Sequence, residues 1–149
     1  MTRPAQILFL VAAVTFGLDQ MTKWLIVWEL DLANRLRIDV FPPFLVLKMA
    51  WNEGINFGIQ IASRWVLVLV AIAISLGLAW WVIRRGNAVL SFAGGLIIGG
   101  ALGNALDRVL YGAVADFLNM SCCGINNPFA FNIADIAIFV GAVVIALKA

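Results

Sequence analysis

Two aspartates, Asp116 and Asp135, have the residue type and setting that chemistry requires. Both lie near apolar stretches, where carboxylates are costly and are retained to act on a substrate, conduct an ion or brace the fold. Two acids held close together in a site of low dielectric do not both ionise cheaply, so such a pair shares a proton. A dyad of this kind splits a peptide bond with water. One carboxylate activates the water, and the protonated one hydrogen-bonds the scissile carbonyl.

Composition narrows the remaining chemistry. The chain has 149 residues, of which 64% are hydrophobic, and this indicates a membrane protein. Its net charge of +2 comes without a basic cluster, so nucleic-acid binding has no support. The absence of histidine excludes Ser-His and Cys-His pairs and HExxH zinc sites. The adjacent Cys122 and Cys123 lack metal-ligand spacing and are interpreted as loop residues.

Hydrophobic runs predict a single membrane-embedded domain over residues 1–149. Its four membrane-spanning helices are expected at approximately 7–30, 65–83, 88–111 and 131–147. The basic turn at Arg84 and Arg85 marks the cytoplasmic side by the positive-inside rule. With four spans, both chain termini are then cytoplasmic.

The polar interval at residues 31–63 is expected to fold as a small cap on the outer side. Alternating polar and apolar residues predict strands at 35–40 and 44–51, and Gly54 suits a tight turn after them. Residues 57–62 are expected to form a short amphipathic segment at the membrane interface.

Topology then brings the acids together. The end of the third span and the start of the fourth emerge on the same side, so Asp116 and Asp135 lie at similar depth beneath the cap. Asn104 and Arg108 end the third span on a polar face, and Asn132 lies three residues before Asp135, on the same helix face.

Two further features involve the first and third spans. Asp19 and Lys23 are four residues apart and are expected to form a structural ion pair facing the bundle interior. The glycine row at Gly95, Gly99 and Gly103 allows close helix packing and leads to Asp107.

These patterns leave three interpretations open. The acids are structural partners of Arg108 and the asparagines, or they form an acid-dyad enzyme, or they belong to a proton-coupled carrier. A carrier typically has ionisable groups near the bilayer midplane and repeated halves, and neither is visible here. A Ser91–Lys23 dyad is disfavoured because the two residues lie toward opposite ends of their spans.

Five motifs occur in order along the chain and carry a resemblance. They are Asp19-Gln20-x-Thr22-Lys23, Asn52-x-Gly54-x-x-Phe57, Gly99-Gly100-Ala101-x-Gly103-Asn104-x-x-Asp107-Arg108, Gly112-x-Val114-x-Asp116-Phe117 and Phe131-Asn132-Ile133-Ala134-Asp135. Together they resemble the lipoprotein signal peptidases, the type II signal peptidases of bacteria. Each motif alone is a weak signal, but the ordered set covers essentially the whole chain.

The resemblance implies a membrane α-helical fold with four transmembrane helices, a small extracytoplasmic β-cradle and a short interfacial helix between spans one and two. It implies an aspartic endopeptidase of the bacterial inner membrane, with its active site near the outer face. This enzyme removes signal peptides from prolipoproteins just before the diacylglyceryl-modified cysteine. No metal or cofactor is implied. Its partners are the prolipoprotein and the lipid bilayer, and it is expected to act as a monomer.

The matching motifs also assign residue roles. Asp116 and Asp135 are the implied catalytic dyad. Substrate-binding or dyad-supporting roles fall to Asn52, Gly54, Asn104, Arg108 and Asn132, and structural polar roles fall to Asp19, Lys23 and Asp107. The chain departs from the family at Ile55 and Asn56, where small alanines are common, and residues 119–127 match no family pattern.

Overall fold

A computed structural model describes residues 2–56, 59–60 and 63–148 of the chain. Helix α1 spans Arg3–Lys23, with a proline in its first turn, where no backbone N–H is needed. The chain continues without a break as a π-helix over Trp24–Glu29. Together these segments form one rod of 27 residues that is long and apolar enough to cross a membrane, close to the predicted first span.

Two further helices match the second and third predicted spans. Helix α3 covers Arg64–Arg85 and helix α4 covers Ala88–Tyr111. The turn between them is sharp because Gly86 adopts a positive φ of 65° and Asn87 caps α4, accepting hydrogen bonds from the N–H groups of its first turn. Both helices have the length and composition of membrane spans.

Helix α4 is the centre of the bundle because its glycines admit neighbouring backbones. A Cβ added at Gly99 would lie 2.5 Å from the carbonyl oxygen of Ala12 in α1. On the neighbouring face of α4, a Cβ at Gly100 would lie 2.6 Å from the carbonyl oxygen of Ala134. The glycines therefore set both helix contacts, as small residues do in membrane bundles.

The last helix, α5, spans Ile133–Lys148 and packs against α4. Its 16 residues correspond to about 24 Å, less than the thickness of a typical hydrocarbon core. Among the described residues, three helices meet the length and composition of a membrane span, and α5 is not one of them. The count of four spans therefore stays a prediction.

A small sheet lies at the end of the bundle where α1 ends and α5 begins. Strand β1 covers Arg37–Phe41, β2 covers Leu45–Asn52 and β5 covers Val114–Asn119. They form an antiparallel sheet in the order β1-β2-β5. Strands β1 and β2 follow the predicted pattern, except that Arg35 belongs to a short helix α2 at Leu32–Arg35. Strand β5, which carries Asp116, was not predicted.

Later in the cap, strand β3, Ile55–Asn56, pairs antiparallel with strand β4, Ile59–Gln60. The interfacial helix expected at 57–62 falls largely outside the described residues. The two positions of it that are described, Ile59–Gln60, are in a strand.

Candidate active site

A buried ion cluster joins α1 to α4. The Lys23 ammonium lies 2.8 Å from Asp19 Oδ2 and 2.8 Å from Asp107 Oδ2. It also donates a hydrogen bond of 3.1 Å to Asn104 Oδ1. An ammonium has three N–H donors, and each has an acceptor here. The spacing of Asp19 and Lys23 by one helical turn therefore produces an ion pair, and Asp107 from α4 completes it.

The two carboxylates of this cluster also hold neighbouring elements. Asp19 is fully buried, and it accepts a hydrogen bond of 3.0 Å from the backbone N–H of Ala134 at the start of α5. Asp107 accepts one of 3.1 Å from the N–H of Ala115 in β5 and one of 3.0 Å from Gln20. The cluster thus fixes where β5 and α5 begin. Gln20 lies in the first sequence motif. Its hydrogen bonds to Asp19 and Asp107 could not be predicted, because the sequence does not indicate that α4 packs beside it.

Asn132 and Asp135 close the first turn of α5 on itself. The side chain of Asn132 accepts from the N–H of Asp135 at 3.0 Å, and the N–H of Asn132 donates to Asp135 Oδ2 at 3.1 Å. This reciprocal arrangement is a capping box, which satisfies N–H groups that a helix start leaves free. This capping box also fixes the orientation of the half-buried Asp135 carboxylate, because its Oδ2 accepts a hydrogen bond at the start of α5.

Asp116 lies on β5 and is 4% exposed. Its two carboxylate oxygens accept hydrogen bonds from Asn132 Nδ2 at 2.7 Å and from Asn52 Nδ2 at 3.2 Å. Burial raises the pKa of Asp116 to about 7, and the nearby charge of Asp135 adds to the rise. The amide donors and the more distant Lys23 oppose this rise without cancelling it. Asp116 therefore titrates near neutral pH.

Asn104 connects the ion cluster to both aspartates. Its Oδ1 accepts from Lys23 at 3.1 Å and from Asn132 Nδ2 at 3.1 Å, while its Nδ2 donates to Asp135 Oδ1 at 3.0 Å. Two donors facing one end and a carboxylate facing the other fix which end of the amide is oxygen. Asp116 and Asp135 are thus joined through the amides of Asn132 and Asn104.

The turn after β2 aims Asn52 at Asp116. Gly54 has a φ of +81°, which favours glycine, and its N–H donates to Asn52 Oδ1 at 2.9 Å. With its oxygen held by this turn, Asn52 presents its amide N–H group to the carboxylate. The cap therefore reaches the Asp116 carboxylate through the side chain of Asn52, in addition to the pairing of β2 with β5.

Arg108 does not pair with the aspartates. Across the described ranges 2–56, 59–60 and 63–148, no carboxylate oxygen lies within 4.0 Å of its guanidinium. Its Nη1 donates one long hydrogen bond of 3.4 Å to the Asn104 carbonyl, and its buried Nε has no hydrogen-bond partner among the described residues. The structural interpretation of the acids, one of the three left open, therefore has no ion pair with Arg108 to support it among the described residues.

A groove between α3, α4 and α5 leads to Arg108 and Asn104. It has a volume of about 270 Å³, and its other lining residues are apolar: Leu67, Val70, Ala71, Ile74, Ile97, Ala101 and Ile138. An apolar groove that ends at a guanidinium and an amide suits a ligand with a hydrocarbon part and a carbonyl-bearing part.

Other sequence candidates lie apart from this site. Cys122 and Cys123 are exposed in a turn after β5. Ser91 is buried in the first turn of α4, at the opposite end of the helix from Asn104. In the part of the chain that the structure describes, no three Cys, Asp or Glu side chains are grouped as ligands for a metal ion.

Comparison with known proteins identifies relatives over most of the chain. Residues 11–149 match the family model of signal peptidase (SPase) II. A lipoprotein signal peptidase of Methylobacterium sp. (strain 4-46) is 40% identical over 143 residues, covering 93% of this chain and 86% of that protein. One of Caulobacter vibrioides is 40% identical over 153 residues, covering 98% and 88% respectively.

A solved structure shares the fold. A bacterial membrane enzyme determined by the in meso method at 1.9 Å resolution has a TM-score of 0.81 and 30% sequence identity, over 94% of this chain and 90% of that one. The family match over nearly the whole chain and the shared fold show that this protein belongs to the signal peptidase II family and is a protease of that family.

Proposed function

We propose that this enzyme removes the signal peptide from bacterial prolipoproteins by hydrolysing the bond just before the diacylglyceryl-modified cysteine, with Asp116 and Asp135 as an aspartic dyad. The family supports prolipoproteins as substrates, since the relatives are named lipoprotein signal peptidases. The observation that carries the dyad is the contact pattern of the two acids. Both are held by neutral amides rather than by cations.

Amide donors position a carboxylate without the strong electrostatic pull that a guanidinium or an ammonium exerts. An aspartate in contact with Arg108 would give up its proton far below neutral pH. Asp116 instead has a pKa of about 7, so it holds a proton at and below neutral pH. This is the state that a shared-proton dyad requires.

The reaction then assigns a role to each acid. Asp116 carries the shared proton and donates it in a hydrogen bond to the scissile carbonyl. The carboxylate of Asp135 removes a proton from a water molecule, which attacks the carbonyl carbon and forms a tetrahedral intermediate. Collapse of this intermediate breaks the C–N bond, and a dyad proton passes to the leaving amine. Asn104 and Asn132 keep the two acids in register throughout.

The groove of α3, α4 and α5 supports a lipid-bearing substrate. Its apolar wall can lie against hydrocarbon, and the Arg108 guanidinium at its end offers N–H donors to a substrate carbonyl. The proposal places this site near the outer face of the inner membrane, with both termini cytoplasmic and the enzyme acting as a monomer. The basic turn at Arg84 and Arg85 supports this orientation because it joins α3 and α4 at the end away from the sheet.

The test measures conversion of a lipid-modified prolipoprotein by the enzyme in proteoliposomes. Conversion is detected as a shift of the prolipoprotein band on a gel. We expect no conversion by Asp116→Asn or by Asp135→Asn, while thermal unfolding of both variants remains cooperative. Asp31→Asn is a matched control because Asp31 is exposed and has a positive φ of 58° that asparagine tolerates. Full conversion by either dyad variant refutes the assignment. Loss of the folded protein in both would indicate a structural role.

A further inference from the structure

The far end of the sheet carries an apolar tip that belongs to no membrane-spanning helix. Phe41 and Phe44, at the β1–β2 connection, are 65% and 48% exposed. Their rings stack on each other with centroids 5.6 Å apart. The tip is tied to the loop after β5, because the N–H of Ser121 donates to the carbonyl of Pro43 at 3.2 Å. That loop exposes further large apolar side chains, namely Met120, Ile125 and Phe129.

A polar pocket adjoins this tip. It has a volume of about 340 Å³ and is lined by Arg37, Lys48, Asn119 and Asn127, with Pro43, Val46, Ser121, Asn126 and Pro128 completing it. Arg37 and Lys48 lie directly opposite each other on β1 and β2. Like charges directly opposite each other on neighbouring strands are destabilising, so an anion bound between them would be stabilising.

The charges around the pocket do not balance. Arg37 is paired with Asp39 at 2.7 Å, whereas Lys48 has no ion pair within the described residues. None of the described residues that line the pocket is acidic. One positive charge therefore remains for an external anion.

The distance between the tip and the site, together with the exposed rings, favours one orientation of the sheet. Leu45 is seven residues from Asn52, which contacts Asp116, so the tip is roughly 23 Å from the site along β2. A sheet standing along the membrane normal would hold two exposed phenylalanines in water at that distance. A sheet lying along the membrane surface places the same rings among lipid headgroups and upper acyl chains, where aromatic side chains are favoured.

We propose that the tip around Phe41 and Phe44 inserts into the leaflet beneath the sheet, and that the adjoining pocket of Arg37 and Lys48 binds the phosphate of an anionic phospholipid. The aromatic pair supplies apolar contact and the pocket supplies charge complementarity. These are the two contributions that anchor interfacial segments. The sheet is thereby held against the membrane at its far end. This proposal does not depend on the catalytic role of Asp116 or Asp135.

Insertion is tested with a fluorescent label. In a Cys122→Ser, Cys123→Ser background, Phe44→Cys is labelled with an environment-sensitive fluorophore in lipid nanodiscs. Leu69→Cys, on the exposed apolar face of α3, provides the membrane reference. We expect blue-shifted emission, quenching by spin-labelled lipid and protection from iodide at Phe44→Cys. Emission and iodide quenching equal to those of the free adduct in buffer would overturn insertion.

Headgroup binding is tested by native mass spectrometry with phosphatidylglycerol and phosphatidylcholine. Wild-type protein should retain phosphatidylglycerol preferentially. Lys48→Gln should weaken that retention about fivefold, the effect of one basic side chain at a lipid surface. Arg35→Gln, which removes an exposed charge outside the pocket, should leave it unchanged. Equal losses in both variants, or displacement of the lipid by inorganic phosphate at equal concentration, would refute a lipid site.

Discussion

The buried carboxyl of Asp116 has a measurable consequence for stability. Burial and the charge of Asp135 raise its pKa from 3.8 to about 7. The folded protein therefore binds a proton at Asp116 more tightly than the unfolded chain does. Stability is then lost as pH rises from about 4 to about 7, and it is level above that range. Replacing Asp116 with asparagine removes this dependence and keeps the size of the side chain.

The magnitude follows from linkage. A pKa rise from 3.8 to about 7 makes ionised Asp116 cost at most about 4 kcal/mol in the folded protein. At pH 5 about 1.5 kcal/mol of that cost is already present, and at pH 8 nearly all of it is. We therefore expect the stability of Asp116→Asn, relative to wild type, to increase by about 2.5 kcal/mol between pH 5 and pH 8.

The assay is reversible unfolding of both proteins in mixed micelles across this pH range, paired with the prolipoprotein conversion assay. The variant should be inactive at every pH while its relative stability increases with pH. Wild-type kcat/KM should decrease as pH rises through about 7, because the dyad then loses its shared proton. A stability difference that is flat or that shrinks with pH would refute a protonated Asp116. A wild-type rate that rises through neutral pH would contradict the assigned roles.

Three further outcomes test the supporting structure. Lys23→Met should lower the free energy of unfolding by about 3–5 kcal/mol, because two buried carboxylates lose their shared cation. Adding Asp19→Asn and Asp107→Asn to this variant should recover most of that loss in the same unfolding assay. Gly103→Ala should destabilise by about 1–3 kcal/mol because its Cβ would overlap the Asp19 carboxylate. Gly77→Ala is the matched control: it meets open space and should be neutral or gain about 0.5–1 kcal/mol, and equal effects at both glycines would contradict the packing argument. Arg108→Gln should raise the KM for prolipoprotein by about 10- to 100-fold, the value of a hydrogen bond from a charged group, and an unchanged KM would remove Arg108 from substrate binding.

The helices could be predicted from sequence because a long apolar run has few alternatives in a membrane. The bounds of α4 match the predicted 88–111, since Asn87 and Gly112 are strong start and stop signals. Strand β5 could not be predicted in the same way. Its residues are buried on both faces, so it lacks the alternation that reveals a half-buried strand. Its partner β2 lies 62 or more residues earlier in the chain, at a distance that local patterns do not report.

Topology alone predicted that Asp116 and Asp135 lie close together, but it did not supply their partners. The i,i+4 pair of Asp19 and Lys23 is a local feature and was predictable. The entry of Asp107 into that pair depends on the contact between α1 and α4, which the glycine row permits but does not set in register. The same limit applies to Arg108: the sequence left open whether it pairs with the acids, and among the described residues its guanidinium makes no ion pair with them.

The two charged systems of this site are separated for a physical reason. Lys23 is linked to Asp116 and Asp135 through hydrogen-bonded asparagines. Its three N–H donors, however, are all used by Asp19, Asp107 and Asn104. Asn104 passes on only a neutral dipole, so Asp135 receives an oriented N–H group in place of a second positive charge. If Lys23 reached Asp135 directly, the shared proton would be held much less tightly at neutral pH. The ion cluster therefore supports the fold beside the proposed dyad, while the asparagines separate its positive charge from the two acids.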